Sequence, residues 1–316
     1  MRTLPIHPGY QRRKKIIDLI ARAIFLLAGL IAAAMIVLIF VFVAGRGIQV
    51  FMPGYEGRQD LGTFLTGMRW RPDLTPPVYS VLFIIINTIT TALGAAILSF
   101  PLSVLTALFI VKVAPKGLRV FFTTVVEILA AIPSVVYGVF AAGSITTLVS
   151  KLAGMFGQST YGGSSMLAVI ILLAIMIFPT ITSLSIVSIA SVDRNLELGS
   201  LALGASRMET NFKVILTSAK SGIFAGLILG LGRAFGEATA VTMVAGNKLF
   251  GPTFNLFDTT RTLTTTMLSG LSETSGVDYD IRFSIGVVLM VVILLTNLAI
   301  RLVKKSIGGV TNEEAA

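Results

Sequence analysis

Six stretches of this chain are apolar over a length that fits a bilayer, and that pattern constrains its fold more than any motif. A helix needs about 20 mostly apolar residues to cross roughly 30 Å of hydrocarbon. The stretches are Ile16–Ala44, Val81–Val111, Val120–Val149, Met166–Ala190, Gly222–Val244 and Phe283–Val303, each flanked by charges or by Gly/Pro-rich sequence. Hydrophobic residues make up 54% of the 316, charged residues only 13%, and the mean hydropathy is +0.89, too apolar for a water-facing globule. The chain reads as an all-α polytopic membrane protein of about six transmembrane helices. The first stretch follows Arg12, Arg13, Lys14 and Lys15 as a secretory signal would, but its apolar core exceeds the usual length and no small-residue cleavage site follows promptly. It is expected to be retained.

Charge distribution orients the spans. Arg12–Lys15, then Lys112, Lys116 and Arg119, then Arg194, Arg207 and Lys213, then Arg301, Lys304 and Lys305 fall on one side if the spans alternate. The positive-inside rule makes that side cytoplasmic and puts both termini there. The net charge of +10 is thus spread along span flanks rather than gathered in one patch, which argues against nucleic acid. There is no cysteine, and the one histidine, His7, lies in the polar N-terminal tail, read as an ordinary solvated residue. Thiol chemistry is thereby excluded, and neither a metal nor a cofactor is expected.

The connection Gly45–Ser80 is rich in Gly and Pro, and its Phe64, Trp70 and Tyr79 are expected to anchor at a membrane interface. In the second outside loop, Gly246–Arg282, the Thr-rich stretch Thr259–Leu268 fits either a surface position or a segment dipping back into the protein. Pro101, Pro133 and Pro179 interrupt apolar spans beside Ser134, Thr180 and Thr182; a polar path and simple helix curvature both account for them. Ser191–Lys220 is too polar to cross a membrane and reads as two short helices broken at Gly204. Ser206 and Glu209 have the spacing of a capping box for the second.

The fifth span carries glycines at four-residue intervals, with Gly226, Gly230, Gly232 and Gly236 predicted to let another helix approach closely. Arg233 and Glu237 lie one turn apart, spacing that predicts an intrahelical pair. Arginine inside an apolar span costs about 2.5–3.5 kcal/mol on insertion scales, so such residues usually face a cavity or partner. Two uses fit: mutual neutralisation at a helix interface, or a guanidinium fork that guides a passing anion while Glu237 holds it and limits affinity.

The stretch Glu197-Leu198-Gly199-Ser200-Leu201-Ala202-Leu203-Gly204-Ala205-Ser206 resembles the "EAA" signature of ABC-importer permeases, with Leu198 and Gly199 in place of the family's alanines and Leu216-Thr217 in place of its Leu-Pro. Asn87-Thr88 and Ile132-Pro133-Ser134-Val135-Val136-Tyr137-Gly138 resemble phosphate-type members. Gly232-Arg233-Ala234-Phe235-Gly236-Glu237-Ala238-Thr239 and the residues on to Asn247 are similar to the C-type subunit of phosphate-specific importers.

The resemblance implies an ABC importer permease fold with cytoplasmic coupling helices. It makes Glu197, Gly204, Ala205 and Ser206 the residues that dock on an ATPase, and ties Arg233 and Glu237 to phosphate passage. It also implies a second permease of the A type, an ATPase dimer, an external phosphate-binding protein and a bacterial or archaeal cell membrane whose lipid surrounds the spans. No Walker loop G-x-x-x-x-G-K-[ST] occurs, so the chain is not expected to be an enzyme and ATP hydrolysis is assigned to another subunit. The expected organisation is a tail at 1–15, a first helix at 16–44, an outside loop at 45–80, a permease domain at 81–304 with its coupling loop at 191–220, and a tail at 305–316. The alternatives are a permease for sulfate or molybdate, an ion-coupled secondary transporter, or a membrane enzyme. The last two lack, respectively, inverted repeats and a catalytic constellation.

Overall fold

The computed structural model describes residues 8–307; His7 and the tail from 308 lie outside the described residues, as do the side chains of Arg12, Arg13, Lys14, Lys304 and Lys305. In chain order the elements are α1 (Pro8–Gln49), α2 (Leu61–Thr66), a hairpin of β1 (Trp70–Arg71) and β2 (Val78–Tyr79), then α3 (Leu82–Leu108). A π-helical turn at Phe109–Val113 ends α3. Next come α4 (Lys116–Ala131), α5 (Ser134–Phe140), α6 (Thr146–Met155), α7 (Met166–Ala190), α8 (Arg194–Ala202), α9 (Arg207–Glu209), α10 (Leu216–Gly236), α11 (Thr239–Ala245), α12 (Leu263–Leu268) and α13 (Val277–Ile307). Two further π-helical turns, Ala141–Ile145 and Thr210–Ile215, join α5 to α6 and α9 to α10. Among the described residues six helical stretches have the length and composition of membrane spans, beginning at Ile17, Leu82, Ser134, Met166, Arg207 and Val277.

Helix α7 is the centre of the bundle, packed against α3, α4, α10 and α11. It is apolar on all sides, as a helix buried among other helices must be, and Ala168, Val169, Leu172, Ile177 and Ile181 are buried in the core. Its start is fixed by Ser165, whose hydroxyl accepts from Ala168 N at 3.2 Å. Helix α1 lies at the other extreme. Its apolar side chains from Ile17 to Phe42 are largely exposed, and it meets α13 near its end, where Ser284 Oγ donates to Gly47 O at 2.6 Å.

Two expected spans have different limits. The stretch Val120–Val149 is not one helix, because α4 ends at Ala131 and Ile132 is extended (ψ 127°), the conformation imposed on a residue preceding proline. The third span therefore begins at Ser134, with Pro133 as its N-cap rather than as a kink. Pro101 and Pro179 do lie inside helices. The second short helix expected within Ser191–Lys220 is instead the start of the fifth span, since Arg207–Gly236 is helical throughout once its π-helical turn is included.

The aromatic residues of the first long connection also differ from expectation. Phe64, Trp70 and Tyr79 are 1%, 1% and 4% exposed, so they form the core of a small folded unit instead of lying at an interface. Trp70 and Tyr79 are paired across the hairpin with their rings 5.1 Å apart, and Phe51 packs on Phe64. The Gly/Pro content that made the segment look like an open loop supplies the tight turns that bring these rings together. Trp70 N donates to Leu249 O, tying the unit to the segment after α11.

Candidate functional site

Helices α7 and α10 cross along a line of small residues. A Cβ at Gly222 would fall 2.0 Å from Ser188 Oγ, one at Gly226 3.2 Å from Leu184 Cβ, and one at Gly230 2.8 Å from Ile181 Cγ1. Gly232 and Gly236 are not part of that line. A Cβ on either would meet nothing within 4 Å, so within this chain they are not packing glycines but leave an open face. The reason is rotation about the helix: positions 222, 226 and 230 keep to one side, and 232 and 236 turn away from it.

Arg233 lies beside that open face, half-buried, and its Nη1 donates to Thr180 Oγ1 on α7 at 3.3 Å. Tyr137 on α5 is within its electrostatic reach and donates its hydroxyl to Leu129 O at 2.8 Å. The expected intrahelical pair with Glu237 is absent: among the described residues Arg233 has no ion pair. Helix α10 stops at Gly236, and Glu237 takes an extended backbone (φ −75°, ψ 117°) that carries its side chain out of the i,i+4 register. Glu237 Oε1 instead accepts from Ala240 N at 3.0 Å, satisfying a free amide in the first turn of α11. Gly138 makes room for that helix, since a Cβ there would meet Ala240 Cα at 2.9 Å.

The Thr-rich stretch, open between two readings from sequence alone, turns back into the protein. Thr260, Thr262, Thr264, Thr265 and Thr266 are all buried. Thr264 Oγ1 donates to Glu237 O at 2.8 Å, and Thr88 Oγ1 on α3 accepts from Leu263 N at 3.0 Å, so α12 sits directly on the break between α10 and α11. Irregular backbone at membrane depth survives only where protein or a wet cavity satisfies it, and these hydroxyls do so.

Arg261, in the same stretch, was not singled out from the sequence. It is 7% exposed, its Nη2 donates to Asn247 O at 3.2 Å, and its Nε is buried without a partner. Burial, followed by the nearby Arg282, pushes its guanidinium down to about 10. Among the described residues Arg261 has no ion pair, and Asp258, Asp278 and Asp280 are ion-paired elsewhere, although Asp278 Oδ1 is buried without a hydrogen bond. Asp258 is bonded to Lys248 and Thr253, Asp278 is ion-paired with Arg282 at 3.6 Å, and Asp280 is bonded to Arg46 at 3.4 Å and Tyr55 at 2.5 Å. A signal was legible in retrospect, since Arg261 is flanked by threonines with no acid beside it.

At the far end of the bundle, α8 and α9 make an exposed elbow. Asp193 caps α8, and Gly204 has φ +88°, a left-handed conformation that only glycine adopts freely. Ser206 and Glu209 form the capping box read from the sequence, with Ser206 Oγ accepting from Glu209 N at 3.2 Å. Ala205 N donates to Ser200 O at 3.3 Å, closing the turn. Glu197 faces inward, where Lys112 Nζ donates to its Oε2 at 2.6 Å, so α8 is tied to the π-helical end of α3. Thr210 is buried and its hydroxyl lies 2.9 Å from Ser200 Oγ, tying α8 to the start of the fifth span. Leu203 at the tip is 91% exposed, with Leu198 and Met208 exposed beside it. Exposed apolar side chains rimmed by polar residues are of the kind that mark protein contacts.

Comparison with known proteins accords with this geometry. Residues 99–308 match the family described as binding-protein-dependent transport system inner membrane component. A "Probable ABC transporter permease protein YqgH" of Bacillus subtilis is 36% identical over 293 residues, covering 92% of each chain. A "Phosphate transport system permease protein PstC" of Pasteurella multocida is 30% identical over 291 residues, covering 85% of this chain and 90% of its own. Among solved structures, a bacterial alginate ABC transporter crystallised with a pentasaccharide-bound periplasmic protein has a chain that superposes with a TM-score of 0.63 at 21% identity, covering 92% of this chain and 98% of that one, which speaks to the fold alone. The multi-pass helical fold, the elbow between its fourth and fifth spans and the match over residues 99–308 make this chain a member of the binding-protein-dependent transport system inner membrane component family, a permease subunit of an ABC importer.

Proposed function

We propose that this permease imports inorganic phosphate, that Arg233 guides the anion, and that the elbow formed by Glu197, Gly204, Ala205 and Ser206 receives the motion of a separate ATPase. The observation that carries the substrate reading is Arg233: a half-buried arginine in a membrane span, without a carboxylate partner among the described residues, beside an open glycine face. Its planar fork matches two oxygens of a tetrahedral oxyanion, and a lone cation binds such an anion weakly enough to release it. Relatives named as phosphate permeases, such as that of Pasteurella multocida, support phosphate over sulfate or molybdate. In this reading Glu237 acts on the conduit indirectly, by fixing the break between α10 and α11.

The complete importer then holds a second, A-type permease across the open face of Gly232 and Gly236, two ATPase subunits under the elbow, and a phosphate-binding protein at the hairpin end. The elbow end is cytoplasmic, together with both termini, in a bacterial or archaeal cell membrane. Reconstituted with those partners, the complex is expected to take up radiolabelled phosphate on ATP addition at least about tenfold faster than sulfate or molybdate at equal concentration, a discrimination of about 1.4 kcal/mol. Faster uptake of either of the other oxyanions would transfer the assignment to that anion.

The elbow has its own test. Gly204→Val places a β-branched residue at φ +88°, which costs about 1–2 kcal/mol and unwinds the turn. ATP hydrolysis is expected to persist while phosphate moved per ATP falls several-fold. An unchanged ratio would remove the turn from coupling.

A further inference from the structure

We propose that Arg261 is a second anion-binding position, an outer station that an oxyanion occupies before reaching Arg233. The inference rests on the phosphate reading and adds a site to it. Its first support is a charge count. Arg282, Arg46 and Lys248 are each matched to an aspartate, and Arg282 also donates to Thr266 O at 2.9 Å, to Ser269 O and to Asp278 O at 3.1 Å. Among the described residues Arg261 is a buried cation without an ion pair, with one bond to a carbonyl and its Nε unbonded. A buried charge with no counter-charge is strongly destabilising, so folding at this position selects for an anion supplied from outside the chain. Among the described residues the hydrogen bond its guanidinium makes goes to a neutral oxygen, which leaves fork geometry available to a phosphate.

The second support is placement. Arg261 immediately precedes the segment that sits on Glu237, through Thr264, and on α3, through Thr88. It follows Thr260, whose N donates to Ala245 O at 2.7 Å at the end of α11. Arg233 therefore lies before the start of α11, in the last turn of α10, and Arg261 beside the end of α11. Asn247, whose carbonyl holds Arg261, has φ +48°, an unfavourable left-handed backbone for a side-chain-bearing residue, and its Oδ1 is buried without a partner. Two cations in series, neither neutralised by the protein, hand an anion along without a deep trap at either.

The test uses the assembled permease–ATPase complex without the binding protein, in gluconate buffer, and follows thermal unfolding as phosphate, sulfate or chloride is added. Phosphate near ten times its dissociation constant is expected to raise the unfolding temperature by about 3 °C. The shift should persist in Arg233→Gln, fall in Arg261→Gln to what Arg233 alone sustains, and disappear in the double variant. Arg261→Lys, which keeps the charge and loses the fork, should need about ten times more phosphate for the same shift, and it serves as the assay if the Gln variant does not assemble. Full retention of the shift in the Arg261 variants would overturn the inference. So would an equal effect of chloride, which would make the position a structural counter-ion site. A sulfate-selective shift lost in Arg261→Gln would uphold the station while assigning it to sulfate. Phosphate uptake by the native complex decides the phosphate reading independently of either result.

Discussion

Arg233→Gln is expected to abolish most phosphate uptake, by about a hundredfold, while the complex assembles in normal yield. Removing the charge and one arm of the fork forfeits about 3 kcal/mol of interaction with an oxyanion, which converts to that factor in rate. Assembly survives for a structural reason. If Arg233 were paired with Glu237, the substitution would strand a buried carboxylate at about 3–5 kcal/mol. Glu237 is already satisfied by Ala240 N, and Thr180 keeps a donor when glutamine replaces arginine. Transport and folding are thus separable at this residue. Labelled uptake measured beside complex yield checks both, and unchanged uptake would remove Arg233 from the conduit.

Gly47→Leu is expected to detach the first helix from the rest of the bundle. At Gly47 the backbones of α1 and α13 touch: an added Cβ would lie 2.8 Å from Phe283 C, Phe283 O and Ser284 N. A clash with main chain cannot be relieved by a rotamer change, so the helices must separate, and the Ser284–Gly47 hydrogen bond goes with them. The apolar side chains of α1 from Ile17 to Phe42 are largely exposed, leaving little within this chain to hold it once that crossing opens. Because the chain lacks cysteine, a Val43→Cys/Gly286→Cys pair gives an unambiguous readout; a Cβ at 286 would lie 3.1 Å from Val43 Cγ1. Cross-linking should be near complete in that background and fall several-fold once Gly47→Leu is added. Equal cross-linking would show that other contacts hold α1.

The spans, the elbow and the capping box were legible in the sequence because each rests on a local rule: apolar length, glycine at a left-handed turn, and Ser206 three residues before Glu209. What escaped was non-local or depended on one backbone angle. The i,i+4 spacing of Arg233 and Glu237 predicts a pair only on an unbroken helix, and nothing in Gly236-Glu237-Ala238 announces an end, since glycine also occurs within the span. Trp70 and Tyr79 bear the residue types of interfacial anchors; their burial follows from a two-residue strand pairing that composition does not encode. The Thr-rich stretch is polar enough for a surface, and only its bonds to Thr88 and Glu237, far away in sequence, draw it inward. Arg261 escaped for the same reason, because an uncompensated charge is defined by neighbours that the sequence does not bring together.

The glycine crossing of α10 over α7 also sets a mechanical ratio. From Arg207 to Gly236 the chain is one helical rod, and the closest approach to α7 falls at Gly222, Gly226 and Gly230. Taking Gly226 as the pivot, about 28 Å of rod lies toward the elbow and about 10 Å toward Arg233. A swing at the elbow therefore reaches the guanidinium reversed in direction and reduced about threefold: a displacement of about 6 Å below becomes about 2 Å above. A lever of that proportion trades large travel for fine placement, a displacement on the scale of one hydrogen bond.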